Sequence, residues 1–316
     1  MLLHDLGWDD DRAAELAEGL VAARVSAVHR DRVHVLGEEL AESLPVAGAV
    51  GTQPVVGDWV GVRDGAIRTV LPRRTELARE EGTLVANVDL ALILTSLNRD
   101  LNLRRIERFV ALAREGGVTP LVLLTKGDLS QDPAGEAARV SERRGSEVVV
   151  LSAQDGWGVP AVRAALAPRR TAVLVGMSGV GKSTLVNLLL GEERQRTLEV
   201  REHDDRGRHA TTHRELFVLD NGALLIDTPG VRRPGMASAE GIEEAFADIA
   251  ELARSCRFAD CRHEDEPGCA VRGVVGEDRL ASWRKLEREG WDAATRKTRG
   301  REGSLLYRQV RRPDKR

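Results

Sequence analysis

Short runs of alternating apolar and polar residues mark the start of the chain: Arg24–His29, Arg32–Leu36, Val46–Val50, Asp58–Arg63 and Ala66–Leu71. In Arg32-Val33-His34-Val35 the polar and apolar side chains fall on opposite faces, as a half-buried strand requires. Pro54, Gly57, Asp64 and Gly65 punctuate these runs as turn residues. Five short strands in succession predict a small barrel, either of the oligonucleotide-binding (OB) type or another small β fold. From about residue 85 to 230 the runs become continuously apolar: Val88–Leu94, Pro120–Leu124, Val148–Leu151, Thr171–Val175, Leu216–Leu219 and Ala223–Ile226. Helical periodicity separates several of them. Leu103, Ile106, Phe109, Val110 and Ala113 share one face, Arg104, Arg105, Glu107 and Arg108 take the other, and Asn102 is placed to cap the start. Alternating strands and helices predict a parallel sheet covered on both faces. Beyond about residue 237 the pattern predicts a helix over Glu240–Ala253, a cysteine cluster, a helix over Glu277–Glu289 and a basic tail. The expected organisation is three units, residues 1–80, 81–236 and 237–316, in a multidomain α/β protein.

Composition adds three constraints. The 316 residues are 42% apolar and 31% charged, ordinary values for a soluble globular protein. A net charge of −3 says nothing about nucleic acid, but the tail from Ala293 to Arg316 is strongly basic. Basic residues are almost all arginine, and only Lys126, Lys182, Lys285, Lys297 and Lys315 are lysines. The three cysteines, Cys256, Cys261 and Cys269, lie close together, which excludes a disulfide framework and suggests a metal site. Met1–Asp11 lacks the basic head and apolar stretch of a signal peptide, and no apolar run approaches a membrane span. A cytoplasmic, monomeric protein without membrane contact is expected.

Gly176-Met177-Ser178-Gly179-Val180-Gly181-Lys182-Ser183 has P-loop spacing after the strand Thr171–Val175 and before a helical pattern from Thr184. Such glycines let the backbone wrap phosphates, so that amide hydrogens and a helix N-terminus face the anion. Lys182 would reach the β- and γ-phosphates and Ser183 would bind Mg²⁺. This is a nucleoside-triphosphate site.

Thr125-Lys126-Gly127-Asp128 ends another apolar run. A carboxylate at Asp128 can accept hydrogen bonds from guanine N1–H and the exocyclic amine, a pair that adenine does not offer. Ser152-Ala153 closes the next strand, where guanine-specific GTPases commonly back the base. Downstream, Asp227-Thr228-Pro229-Gly230 supplies a carboxylate for Mg²⁺ through water and an amide, at Gly230, that can sense the γ-phosphate. Between the two lies Gly207-Arg208-His209-Ala210-Thr211-Thr212, where Thr211 or Thr212 is the natural second Mg²⁺ hydroxyl, Thr211 being preferred. Base recognition therefore precedes the P-loop, the reverse of Ras-like GTPases, and a circular permutation explains the order without moving any site residue.

Cys256, Cys261, His263 and Cys269 offer three thiolates and one imidazole, the ligand set of a closed structural zinc site. The stretch around them contains little to bury beyond Phe258, so a metal would supply folding energy that the segment lacks.

The permuted motif order and the Cys-Cys-His-Cys element resemble the ribosome small-subunit-dependent GTPase A family (RsgA). The resemblance includes Pro54-Val55-Val56-Gly57-Asp58-Trp59-Val60, Ala86-Asn87-Val88-Asp89 and Cys256–Cys261. It implies an OB-type barrel, a permuted GTPase domain, a helical zinc domain, and late maturation of the small ribosomal subunit with hydrolysis stimulated by that subunit. Two positions depart from the pattern: Thr125 stands where GTPases have Asn, which is expected to loosen the base pocket, and Ala210 stands where the family more often has a third threonine. Val231 replaces the glutamine that positions water in many GTPases, so intrinsic hydrolysis is expected to be slow. His209 is the nearest candidate to orient water, and the resemblance supports it. Phosphates of small-subunit RNA are expected at Arg24, Arg30, Arg32, Arg73, Arg74 and the tail. Two other classes compete: a P-loop ATPase or small-molecule kinase, and a zinc-dependent RNA-binding switch with incidental turnover.

Overall fold

The computed structural model describes residues 2–79, 82–97, 101–142, 146–191, 214–228 and 239–289. Five strands form the first unit: β1 (Val21–Val28), β2 (Val33–Leu36), β3 (Ala41–Leu44), β4 (Trp59–Arg63) and β5 (Ala66–Val70). β1 pairs with both β2 and β4, β2 with β3, and β4 with β5, all antiparallel. A parallel bridge from Val46 to Ile67 closes the ring, with Ile67 N–H donating to Pro45 O and Ala47 N–H to Ile67 O, both at 3.0 Å. The order β1-β2-β3-β5-β4-β1 is the five-stranded Greek-key barrel. Its interior is Ala23, Val25, Val33, Val35, Leu44, Val60, Val62 and Ile67. The strand expected over Val46–Val50 is corrected to Ala41–Leu44, whose register with β2 continues the pairing that Pro45 ends. Val46 remains as the closing bridge.

The barrel arginines divide. Arg24 is a correction: it is 2% exposed and donates to the carbonyls of Leu6, Gly57 and Asn87, so it cannot reach a phosphate. Burial lowers its pKa to about 10. It cements the N-terminal segment, which leads into the short helix α1 (Asp10–Glu15), to the barrel. Arg73 is likewise engaged, clamping buried Asp58 with two hydrogen bonds at 2.8 and 2.9 Å. Arg74 pairs with Asp9. Arg30 and Arg32 are exposed.

After the hairpin β6 (Glu76–Arg79) and β7 (Gly82–Ala86), six further strands follow: β8 (Leu90–Ser96), β9 (Thr119–Thr125), β10 (Glu147–Val150), β11 (Thr171–Gly176), β12 (Glu215–Val218) and β13 (Leu224–Asp227). In space they run β10-β9-β8-β11-β13-β12, the first five parallel and β12 antiparallel to β13. The P-loop strand β11 is thus central, although it is fourth of the six in the chain. One antiparallel pair, Ala27 with Glu215, joins β12 to barrel strand β1. β8, β9 and β11 read as continuous apolar runs because both faces are covered.

Helix α2 (Leu103–Glu115) starts as expected, with Asn102 Oδ1 accepting from Arg105 N–H at 3.1 Å. Its charged face, however, is covered in part, with Arg104 left exposed. Glu107 is 5% exposed and pairs with Arg279, and Arg108 pairs with Glu289. The cover is the C-terminal unit. There the helix expected over Glu240–Ala253 is interrupted at Phe246, giving Ala239–Ala245 and Ala247–Ala253, because the Phe246 side chain turns fully into the core. A last helix spans residues 277–289. Among the described residues no helix is long and apolar enough to cross a membrane.

Candidate functional site

The phosphate loop is built by three glycines that no other residue could replace without strain. Gly176, Gly179 and Gly181 have φ of 153°, 81° and 96°, and a Cβ on Gly176 would lie 2.6 Å from Leu94 O. Val180, 4% exposed, pins the loop into the core that includes Leu94 and Leu185. Helix Lys182–Leu190 begins directly at Lys182, while Ser178, Gly179, Ser183 and Thr184 are exposed at the mouth. Backbone amides, a helix start and hydroxyls therefore face one side, the arrangement that accepts an anion.

Lys182 is 8% exposed and its ammonium donates to Gly176 O at 2.9 Å and Met177 O at 2.7 Å. Burial lowers its pKa, with the Asp227 charge opposing. Asp227, at the end of β13, is shifted the other way: burial raises its pKa and Lys182 pulls it back. Each of the two is half-compensated by the other, so a bound anion and a cation would each find a partner there. The neighbouring Thr228 hydroxyl donates to Leu174 O at 2.5 Å, fixing the strand end beside β11.

The base-recognition residues meet on adjacent parallel strands. Leu124 faces Val150, and Leu151 N–H donates to Leu124 O at 2.9 Å, so Thr125–Asp128 and Ser152–Ala153 leave the sheet side by side. Lys126 adopts φ 56°, Gly127 N–H donates to Leu151 O at 3.0 Å, and Asp128 is exposed with its carboxylate open to a ligand. Ser152 is fully buried; its hydroxyl donates to Asp155 Oδ2 at 3.1 Å and accepts from Asp155 N–H at 3.2 Å. Thr125, in place of the usual Asn, is turned inward. It is 2% exposed, and its Oγ1 lies 2.6 Å from Val180 O and 3.3 Å from Thr95 O, so its single proton goes to the P-loop carbonyl. The hydroxyl ties the base turn to the phosphate loop. His209, Thr211, Thr212, Gly230 and Val231 lie outside the described residues, as does the basic tail.

Away from this site, the ligand atoms of Cys256, Cys261, His263 and Cys269 all lie within 4.8 Å of one another. His263 Nδ1 is 3.6 Å from Cys256 Sγ and 3.4 Å from Cys269 Sγ. Backbone N–H groups of Ala270 and Arg272 donate to the sulfurs of Cys256 and Cys269, both at 3.3 Å. The cluster could hold a metal ion. Sequence reasoning missed Asp155, Trp157 and Arg279. The first two carry a usable signal, a Gly-flanked aromatic next to Ser-Ala in an aromatic-poor chain; Arg279 is one arginine among many.

The model of the RsgA GTPase family matches residues 70–237. The chain belongs to the RsgA GTPase family. A relative from Methanosarcina acetivorans, named small ribosomal subunit biogenesis GTPase RsgA, is 42% identical, with 90% of this chain and 84% of the relative aligned. A relative of the same name from Streptomyces coelicolor is 44% identical over 91% of this chain and 86% of its own. The crystal structure of YjeQ from Thermotoga maritima superposes with a TM-score of 0.63 at 25% identity, covering 86% of this chain and 99% of that one. YloQ, described as a circularly permuted GTPase, shares the fold with the same TM-score at 24% identity, covering 87% and 96%. The permuted order of strands around β11 agrees with that description.

Proposed function

We propose that this chain binds and hydrolyses GTP to GDP and phosphate as a biogenesis factor of the small ribosomal subunit, in the cytoplasm, with turnover stimulated by that subunit. One observation carries the nucleotide part: P-loop, Thr125–Asp128, Ser152–Ala153 and Asp227 converge at the same end of one sheet, although the chain visits them in permuted order. The subunit part rests on the name shared by the relatives. Three units divide the work: a barrel over 1–80, the GTPase over 81–236 and a metal-bearing helical unit over 237–316.

In this reading Asp128 accepts from N1–H and the exocyclic amine of guanine, with Thr125, Lys126, Ser152 and Ala153 shaping the base pocket. Amides of Gly176, Ser178, Gly179, Val180 and Gly181, with Ser183 and Thr184, cradle the phosphates, and Lys182 turns from its carbonyls to their charge. The oxygen donors Ser183 and Asp227 fit Mg²⁺, a hard cation, joined by Thr211; bound there, it would neutralise charge on the β- and γ-phosphate oxygens. Asp227, held partly uncompensated by burial, gains from such a cation. Gly230 senses the γ-phosphate, and His209 orients water in place of the glutamine that Val231 lacks. Ring and thiolate spacing in the Cys-His cluster fits zinc: ligands at about 2.3 Å (sulfur) and about 2.0 Å (nitrogen) in a tetrahedron stand about 3.5 Å apart. The observed 3.4 and 3.6 Å match. Four protein ligands leave no open position, so the role of this site is structural.

GTP hydrolysis by the metal-loaded chain, measured with small subunits, large subunits and neither, tests the reading. Stimulation by small subunits alone, with GTP preferred over ATP, is expected. Equal turnover of ATP would favour the ATPase class, and absent stimulation would remove the subunit from the proposal.

A further inference from the structure

We propose that Trp157 is a positioning residue for base recognition, acting through Gly127 on the Asp128 carboxylate. The proposal deepens the GTPase reading and rests on it. Trp157 closes a small loop that begins at Ser152, the buried serine of the base pocket. Ser152 N–H donates to Trp157 O at 3.0 Å, Gly156 N–H donates to Ser152 O at 2.9 Å, and the Ser152–Asp155 side-chain bonds brace the interior. The next residue, Gly158, has φ 79° and turns the chain into helix Val159–Ala165. This closed loop lays the indole on the backbone of Gly127. A Cβ at Gly127 would lie 2.8 Å from Trp157 Cζ2 and 3.0 Å from Val150 Cγ1, so the ring fills the volume that a side chain at 127 would need.

The turn so covered is the one that needs holding. Lys126 sits at φ 56°, a conformation that costs a non-glycine residue of order 1 kcal/mol and persists only where neighbours enforce it. Three neighbours do so here: Thr125 bonded to the P-loop, Leu151 O accepting from Gly127 N–H, and the indole above. Only the indole is partly open, at 41% exposure, so its removal need not unfold the core. Two parallel hydrogen bonds accepted by one carboxylate demand tighter placement than one bond does. Loosening the turn should therefore penalise a base with two donors more than a base with one. Guanine carries N1–H and the exocyclic amine, whereas hypoxanthine carries N1–H alone.

The test is equilibrium binding of GDP and IDP by the zinc-loaded full chain, comparing wild type, Trp157→Ala, Trp157→Phe and Gly127→Ala, with GTP turnover in parallel. Trp157→Ala is expected to weaken GDP by about tenfold, the value of one well-placed hydrogen bond to a charged group. IDP should weaken less, so that the GDP/IDP ratio narrows, and the turnover defect should fall on KM. Trp157→Phe, which keeps a ring on the turn, is expected to restore most of the ratio. Gly127→Ala pushes against the intact indole and should narrow the ratio as well. An unchanged ratio in both Trp157→Ala and Gly127→Ala, whether affinity is kept or lost in parallel, overturns the assignment while leaving Asp128 in place. Wild-type protein that binds GDP no better than ADP overturns the base-pocket reading itself, and the role of Trp157 with it.

Discussion

Arg279→Ala should be among the most damaging single substitutions outside the nucleotide site. Arg279 is 6% exposed, and all three of its guanidinium nitrogens donate inside the protein. Nε and Nη2 donate to the two oxygens of Asp248 at 2.8 and 2.5 Å, Nη1 to Glu107 at 3.0 Å, and Nη2 also to Ala245 O at 3.3 Å. Its central carbon stands 4.6 Å above the Phe246 ring. Glu107 belongs to helix α2 of the GTPase sheet, and Asp248 and Arg279 to the C-terminal unit, so one side chain bolts the two together. Deleting it removes the shared cation from two carboxylates whose side chains are only 6% and 14% exposed. Removing one partner of a buried pair costs about 3–5 kcal/mol, and the lost ring contact adds about 1 kcal/mol. At about 2–4 °C per kcal/mol for a protein of this size, Tm should fall by roughly 10–15 °C. Thermal unfolding by circular dichroism, at fixed protein and zinc concentration, measures it. The triple variant Arg279→Met, Glu107→Gln, Asp248→Asn removes every charge and should recover most of the loss, since a neutral replacement of a buried charge cluster is often harmless. A Tm drop below about 3 °C for Arg279→Ala, or a triple variant no better than the single one, would refute the reasoning.

Asp227→Asn should abolish GTP hydrolysis yet leave the nucleotide-free protein at least as stable at pH 7. Burial raises the Asp227 pKa, so its favourable contribution is present below the ordinary carboxylate value and lost as pH rises through the raised one; the stability gap to the asparagine variant should narrow as pH falls through the raised value towards the ordinary one in urea titrations. A clear loss of stability at pH 7 would count against the burial argument. Metal analysis should find one zinc per chain, falling in Cys269→Ser, and chelation should expose Arg257–Arg272 to trypsin while GDP binding persists. No zinc in freshly purified protein would remove the structural site. Thr125→Val leaves Val180 O without its 2.6 Å donor, a cost of about 1–3 kcal/mol, and should raise KM for GTP several-fold; an unchanged KM would show that the strand-to-loop tie does not act on nucleotide.

Most of this site was legible because phosphate and guanine chemistry imposes local spacing. Gly176–Ser183, Thr125–Asp128 and Asp227 are contiguous strings at strand ends, and the apolar runs before them marked the strands. Cys256, Cys261, His263 and Cys269 were legible for the same reason, since metal ligands in a short segment carry their own spacing. What escaped was long-range. The polar stripe of α2 looked solvent-facing because its covering partner, Arg279, is distant in sequence. Arg24 looked like a surface phosphate contact, and nothing local distinguishes a surface arginine from one whose donors are all taken by carbonyls of other segments. Thr125 was read against the asparagine it replaces, whereas its hydroxyl finds an acceptor that only the tertiary fold supplies.

Two candidate γ-phosphate segments adjoin units outside the P-loop sheet. The segment holding Thr211 and Thr212 leads directly into β12, and β12 hydrogen-bonds barrel strand β1 at the pair of Glu215 with Ala27. The segment holding Gly230 leads into helix Ala239–Ala245, which is pressed so closely on α2 that a Cβ at Gly241 would stand 2.8 Å from Ala111 O. That helix is followed by Phe246 and Asp248, both in contact with Arg279. Each candidate γ-phosphate contact is therefore one segment away from a different unit outside the P-loop sheet, the barrel on one side and the unit of the Cys-His cluster on the other. A partner that grips both outer units acts on the nucleotide only through its preference for one arrangement over another. In a chain with its P-loop first the Thr211 segment would still lead into β12, but the Gly230 segment would run on into the rest of the sheet, so the permutation is what joins the Gly230 side to the C-terminal helices.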